Sequence, residues 1–314
     1  MRVLVLGAGA VGGYFGGRLA EVGRDVTFLL RPARAAAIAA QGLVIDSPSG
    51  SVTLPVKTAT DGAVAIGSDI VILACKAYDL EAAMTAIEAP VRHGAVILPL
   101  LNGLAHIDRL QAKFGAERVI GGMCQILATL GDAGEIRHLD KMARLVYGRF
   151  AGQLATGAHA ALLDALDAVF AGVNFATKRI EPIEQSLWDK WIMLATMAGT
   201  TSLMRGSIGA IMAATGGPEL IGDFLAEVST IAAAAGQAPS ESYLESVRKI
   251  VLAPGSGAKA SLLRDIERGG RIEGAHVIGD LLRRAEAFNL ETPLLRLANL
   301  HLQVYEQSVA SAAG

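Results

Sequence analysis

Lys190 sits inside LWDKWIMLATMAGTTSLM (Leu187–Met204), a stretch that is apolar almost all the way round a helix. Met193, Leu194, Met197 and Ala198 follow at helical spacing and share its face. A lysine near a helix start commonly snorkels its ammonium to solvent. The alternative is a charge aimed into a cleft, stabilising an oxygen that gains negative charge and giving it a proton. A second chemical cluster is Gly7-Ala8-Gly9-Ala10-Val11-Gly12, directly after the apolar run Arg2–Leu6 and opening a helix-compatible segment. In that context the first glycine permits a tight turn, the second lets backbone approach a pyrophosphate, and the third allows close helix–strand packing. The free N–H groups of the helix start suit phosphate oxygens.

The end of the second apolar strand, FLLRPARAA, carries Arg31 and Arg34 and no acid. An acid there would hold ribose hydroxyls, whereas a guanidinium suits the 2′-phosphate of NADP(H). Arg31 is the better candidate, and Arg34 reads more as a solvated surface residue. Lys76 follows DIVILAC and Asn102-Gly103 follows AVILPLL. Ligands of doubly wound sheets collect at such strand ends, although an exposed lysine and a common Asn-Gly turn fit the same residues.

These residues need elements to place them. In the first half, short apolar runs alternate with helical patterns, which predicts a parallel sheet covered on both faces. Leu43–Ala59 resembles a hairpin or an excursion from that sheet, and GEIRHLDKMARLVYGRF predicts two further strands. From about Gly157 the segments are nearly all helical. The expected class is α/β: a Rossmann dinucleotide-binding domain over residues 1–178 and an all-helical substrate and catalytic domain over 179–314. The change falls between Asn174 and Pro182, with a natural cleft at the join.

Composition narrows the classes. The chain has 314 residues, 52% hydrophobic and 18% charged, enough to bury two ordinary cores. No run approaches the about 20 apolar residues of a membrane helix. A net charge of −2 without a basic block argues against a nucleic-acid footprint. Cys75 and Cys124 have no metal-ligand spacing, and the six histidines form no cluster. A cytoplasmic protein without a structural metal is expected. Apolar helices in the second half could form a homodimer face.

In order, GAGAVGGYFGGRLAEVG, DIVILACKAYD, LLNGL, WDKW and SLLRDIERGGRIEGAHVIG resemble the ketopantoate reductase (2-dehydropantoate 2-reductase) family over nearly the whole chain. The resemblance implies NADPH, a 2-oxo acid substrate, Lys190 as active-site lysine and Glu273 as its partner. It also places Asn102 between nicotinamide and substrate, Lys76 and Arg31 beside the cofactor, and Ser261 against the substrate. Leu194 and Ala198 stand where the family has asparagines, and Ile208 and Ala258 replace two more. That implies a more apolar pocket and a different substrate side chain, with Thr201 on the lysine's face as partial compensation. Other readings are an oxidoreductase of imines or 3-hydroxy acids, and a non-enzymatic NADPH-binding redox sensor.

Overall fold

The computed structural model describes residues 1–313. The chain forms two compact units, one of residues 1–101 and 106–183, the other of residues 102–105 and 184–314.

The first unit is built on a five-stranded, all-parallel sheet of β1 (Arg2–Leu6), β2 (Asp25–Leu29), β5 (Lys57–Ala59), β6 (Ile70–Leu73) and β7 (Val96–Pro99), in the order β5-β2-β1-β6-β7. β6 and most of β1 are buried on both faces, which explains their unbroken Val, Ile and Leu composition. Helix α1 (Ala10–Glu21) follows β1, and α2 (Pro32–Gln41) follows β2 with Pro32 in its first turn, a position that needs no backbone donor.

A second sheet contains β3 (Leu43–Asp46), β4 (Val52–Leu54), β8 (Gly121–Leu130), β9 (Ile136–Gly148) and β10 (Ala176–Arg179). The stretch Leu43–Ala59 thus divides: β3 and β4 form an antiparallel pair in this sheet, and β5 returns to the edge of the first. GEIRHLDKMARLVYGRF forms one long strand, β9, where the sequence pattern predicts two. Its antiparallel partner is β8, and the ladder slips between Ile126 and Ala128, opposite the four residues Leu139–Met142. A bulge absorbs the residues that would otherwise break the strand.

In the second unit the Glu184–Met204 helix packs against Gly217–Ala234, Pro293–Ala313, Ser261–Glu267 and Glu241–Val251. Trp191, Ile192, Ala195 and Ala198 on it are buried, with Phe224, Val228, Leu263 and Leu281 in the same all-helical unit. Neighbours on several sides account for its nearly uniform apolar surface. The carboxylate of Glu227 accepts the N–H groups of Leu294 and Leu295 at 3.0 and 2.9 Å, supplying acceptors to the open start of the last helix. Among the described residues no helix is long and apolar enough to cross a membrane. Nor does any group of three or more His, Cys, Asp or Glu among them have metal-holding geometry.

Candidate active site

The glycine loop of the first unit has the shape its residue types demand. Gly7 has φ +92° and donates its N–H to Leu29 at 3.1 Å, turning the chain from β1 into α1. A Cβ on Gly12 would lie 2.3 Å from the Gly7 carbonyl oxygen, so only glycine lets the helix start this close to the strand. At Gly9 a Cβ would meet nothing within 4 Å. The backbone there borders open space beside the helix start, a cradle that fits a pyrophosphate.

The two arginines beyond β2 differ sharply. Arg31 is 75% exposed and pairs with Asp79 at 3.0 Å. Arg34 folds back over the loop: its Nε and Nη2 donate to the Ala8 carbonyl at 3.2 and 3.1 Å. Burial lowers the pKa of its guanidinium. Lys76 is exposed just before the short turn Ala77–Asp79, and its carbonyl accepts the Asp79 N–H at 2.9 Å.

In the second unit, Lys190 Nζ donates to Asn102 Oδ1 at 3.0 Å. Asn102 comes three residues after β7 and belongs to this unit with residues 103–105. Gly103 takes φ +72°, and a Cβ on it would lie 3.1 Å from the His276 carbonyl oxygen, so the turn presses against the segment after Glu273. Glu273 precedes a wide, π-type turn over Ala275–Gly279, and its carbonyl accepts from His276 and Val277 at 3.2 and 3.0 Å. Such turns recur at functional sites. Here the Val277 carbonyl accepts the indole N–H of Trp191 at 3.0 Å, which ties the Glu273 segment to the residue beside Lys190. The Arg284 guanidinium lies over the same indole at 5.5 Å and is held by the buried Asp280 at 2.9 Å.

Ser261 is exposed at the first position of its helix. The preceding Ala260 N–H donates to Thr201 Oγ1 at 3.4 Å, and that hydroxyl donates to the Met197 carbonyl at 2.6 Å. Thr201 is fully buried, so its hydroxyl anchors the Ser261 helix to the Lys190 helix. Leu194 is partly buried and Ala198 is buried. Ile208 and Ala258 meet through backbone, Ile208 N–H to Ala258 carbonyl at 2.9 Å, so apolar side chains suffice there.

The geometry brings forward Arg34, which the sequence reads as a solvated surface residue, and Glu306, which it does not single out. Arg34 was readable as a donor in the first turn of α2, but its fold-back depends on a remote turn. Glu306, which accepts the N–H groups of Gly274 and Ala275 beside Glu273, left no local signal.

The parallel sheet and the glycine cradle define a protein of the Rossmann dinucleotide-binding class. The family profile described as ketopantoate reductase PanE/ApbA matches residues 3–152, and that of its C-terminal part matches residues 182–306. The chain belongs to the PanE/ApbA ketopantoate reductase family. It is 35% identical over 306 residues to the uncharacterized oxidoreductase YkpB of Bacillus subtilis, covering 98% of this chain and 99% of that one. The crystal structure of 2-dehydropantoate 2-reductase from Geobacter metallireducens superposes with a TM-score of 0.86 at 28% identity, over 97% of this chain and 99% of that one. D-mandelate dehydrogenase in its ternary structure with NADH and anilino(oxo)acetate shares the fold, with a TM-score of 0.83 at 19% identity, over 99% and 100% of the chains.

Proposed function

We propose that the protein uses NADPH to reduce a 2-oxo acid bearing a more apolar side chain than ketopantoate to the corresponding 2-hydroxy acid. NADPH, held by the glycine loop, would supply the hydride that such a reduction needs. Lys190 holds its ammonium at the carbonyl oxygen, where it stabilises the growing negative charge and passes over the proton that completes the hydroxyl. Asn102 orients that ammonium by accepting one of its N–H groups. Glu273 supplies a counter-charge and, with Ser261 as a donor to the substrate carboxylate, completes the polar side of the site. Leu194 and Ala198 give its apolar side, and Thr201 lies further along the same helix face.

The observation that carries this reading is the 3.0 Å bond between Lys190 and Asn102, two chemically suited groups gathered from distant parts of the chain. Two sequence features set the preferred substrate: Leu194 and Ala198 offer no hydrogen bonds. An apolar lining tolerates apolar side chains and gives little to a hydroxyl. The experiment is steady-state NADPH oxidation with ketopantoate and a series of 2-oxo acids carrying branched aliphatic or aromatic side chains. The apolar acids should have the higher kcat/KM. Lys190→Ala should lower kcat by about a hundredfold or more, the range of a lost general acid. A Lys190→Ala variant with undiminished turnover would dispose of the mechanism.

A further inference from the structure

Arg34 is a partly buried cation lying against the phosphate-cradling loop. Its Nε and Nη2 both rest on one neutral acceptor, the Ala8 carbonyl, which leaves the remainder of its five donors without that partner. From the other side the β8–β9 turn closes on it: a Cβ at Gly134 would meet Arg34 Nη1, so the turn's backbone lies against the guanidinium. Glu135, the acid of that turn, is engaged by Arg137 and by the Ala133 N–H at 3.1 Å. Among the described residues no carboxylate pairs with Arg34. Its neighbour Arg31 is largely exposed and pairs with Asp79.

A guanidinium partly withdrawn from water without a counter-charge carries a cost that an arriving anion would offset. The end of β2 and the first glycine turn are where a Rossmann fold meets the adenosine ribose. We propose that Arg34, not Arg31, is the residue that selects an adenosine 2′-phosphate, held by a forked contact from the donors left free. This inference rests on the NADPH reading above. It differs from it in naming which side chain decides the cofactor.

The test is calorimetric titration of the full chain with adenosine 2′,5′-bisphosphate and with AMP, which share everything but the 2′-phosphate. The wild-type protein should bind the bisphosphate at least about tenfold more tightly, as a charge-assisted pair requires. Arg34→Gln should bring the ratio to within about threefold of unity while AMP affinity stays unchanged, and Arg31→Gln should leave most of the ratio intact. No wild-type preference would overturn the NADPH reading itself, before any variant is made. A wild-type preference that survives Arg34→Gln, or that Arg31→Gln abolishes, would overturn the assignment to Arg34 alone. Loss of AMP binding together with the bisphosphate would also overturn it, showing a structural role. If Arg34→Gln does not fold, Arg34→Lys decides: it keeps the charge and loses the fork. Its ratio should fall by about threefold or more, and an unchanged ratio counts against the proposal.

Discussion

Lys190 Nζ and Asn102 Oδ1 meet at 3.0 Å although 88 positions separate them in the chain. An amide oxygen steers the ammonium without neutralising it, which a carboxylate in the same place would do. Asn102→Ala should therefore lower kcat by about tenfold to a hundredfold, the cost of a misplaced proton donor. Asn102→Asp puts a negative charge beside the ammonium and favours its protonated form, so the alkaline limb of the kcat profile should move to higher pH. Profiles of the two variants that superimpose on the wild type would remove Asn102 from the mechanism.

Gly9 and Gly12 separate binding from folding. A Cβ at Gly9 meets nothing within 4 Å, and the backbone φ of −77° suits alanine. Gly9→Ala should unfold at the wild-type temperature and bind dinucleotide more weakly, because the methyl enters the cradle. At Gly12 the same methyl would lie 2.3 Å from the Gly7 carbonyl oxygen and 3.0 Å from the Ala74 Cβ. Gly12→Ala should cost about 1–3 kcal/mol of stability as an overpacked contact. Thermal unfolding with and without dinucleotide distinguishes the two. Equal stability losses would show that Gly9 has no special relation to a ligand.

Leu194 sets the selectivity of the proposed apolar pocket. Leu194→Asn adds a donor and an acceptor on the face shared with Lys190. It should shift the ratio of kcat/KM values toward a hydroxyl-bearing 2-oxo acid by about tenfold, and mostly by lowering turnover of the apolar acids. Competition assays with a mixture of the two substrates read that ratio directly. A uniform loss for both would mean that Leu194 only packs.

Glu306 provides a test by pH. Burial, the larger influence, raises its pKa, and the N–H groups of Gly274 and Ala275 pull it partly back. A carboxyl whose pKa is raised by folding is held preferentially as the neutral acid. Its contribution to stability is complete below the ordinary value of 4.5 and is lost as pH rises through the higher folded value. Glu306→Gln removes the charge that burial penalises. It should equal or exceed wild type at neutral pH, and its advantage should vanish in acid. Urea midpoints measured across that window check the sign. A variant that is worse at neutral pH and unchanged in acid would mean that the two N–H bonds outweigh burial.

Much of the protein was legible in local patterns. The unbroken apolar strands, the glycine spacing after β1 and the run of helices after residue 183 each follow from short stretches. Neighbouring residues alone decide such things, through backbone freedom at glycine and the period of apolar side chains, so the α/β class with a helical second part was readable. The single strand β9 was not. Its middle, around Asp140 and Lys141, looks like a turn until β8 supplies the partner against which the extra residues bulge.

What only the tertiary structure decided is which side chains meet and which charges are shielded. Arg31 and Arg34 are equivalent as letters, yet Asp79 pairs with one while Ala8 and the β8–β9 turn enclose the other. Thr201 looks like a free hydroxyl on the lysine's face until Met197 and Ala260 take it up. Asn102 reads as a turn residue until Lys190 reaches it. Solvation and pairing depend on atoms brought from far along the chain, and no local spacing encodes them.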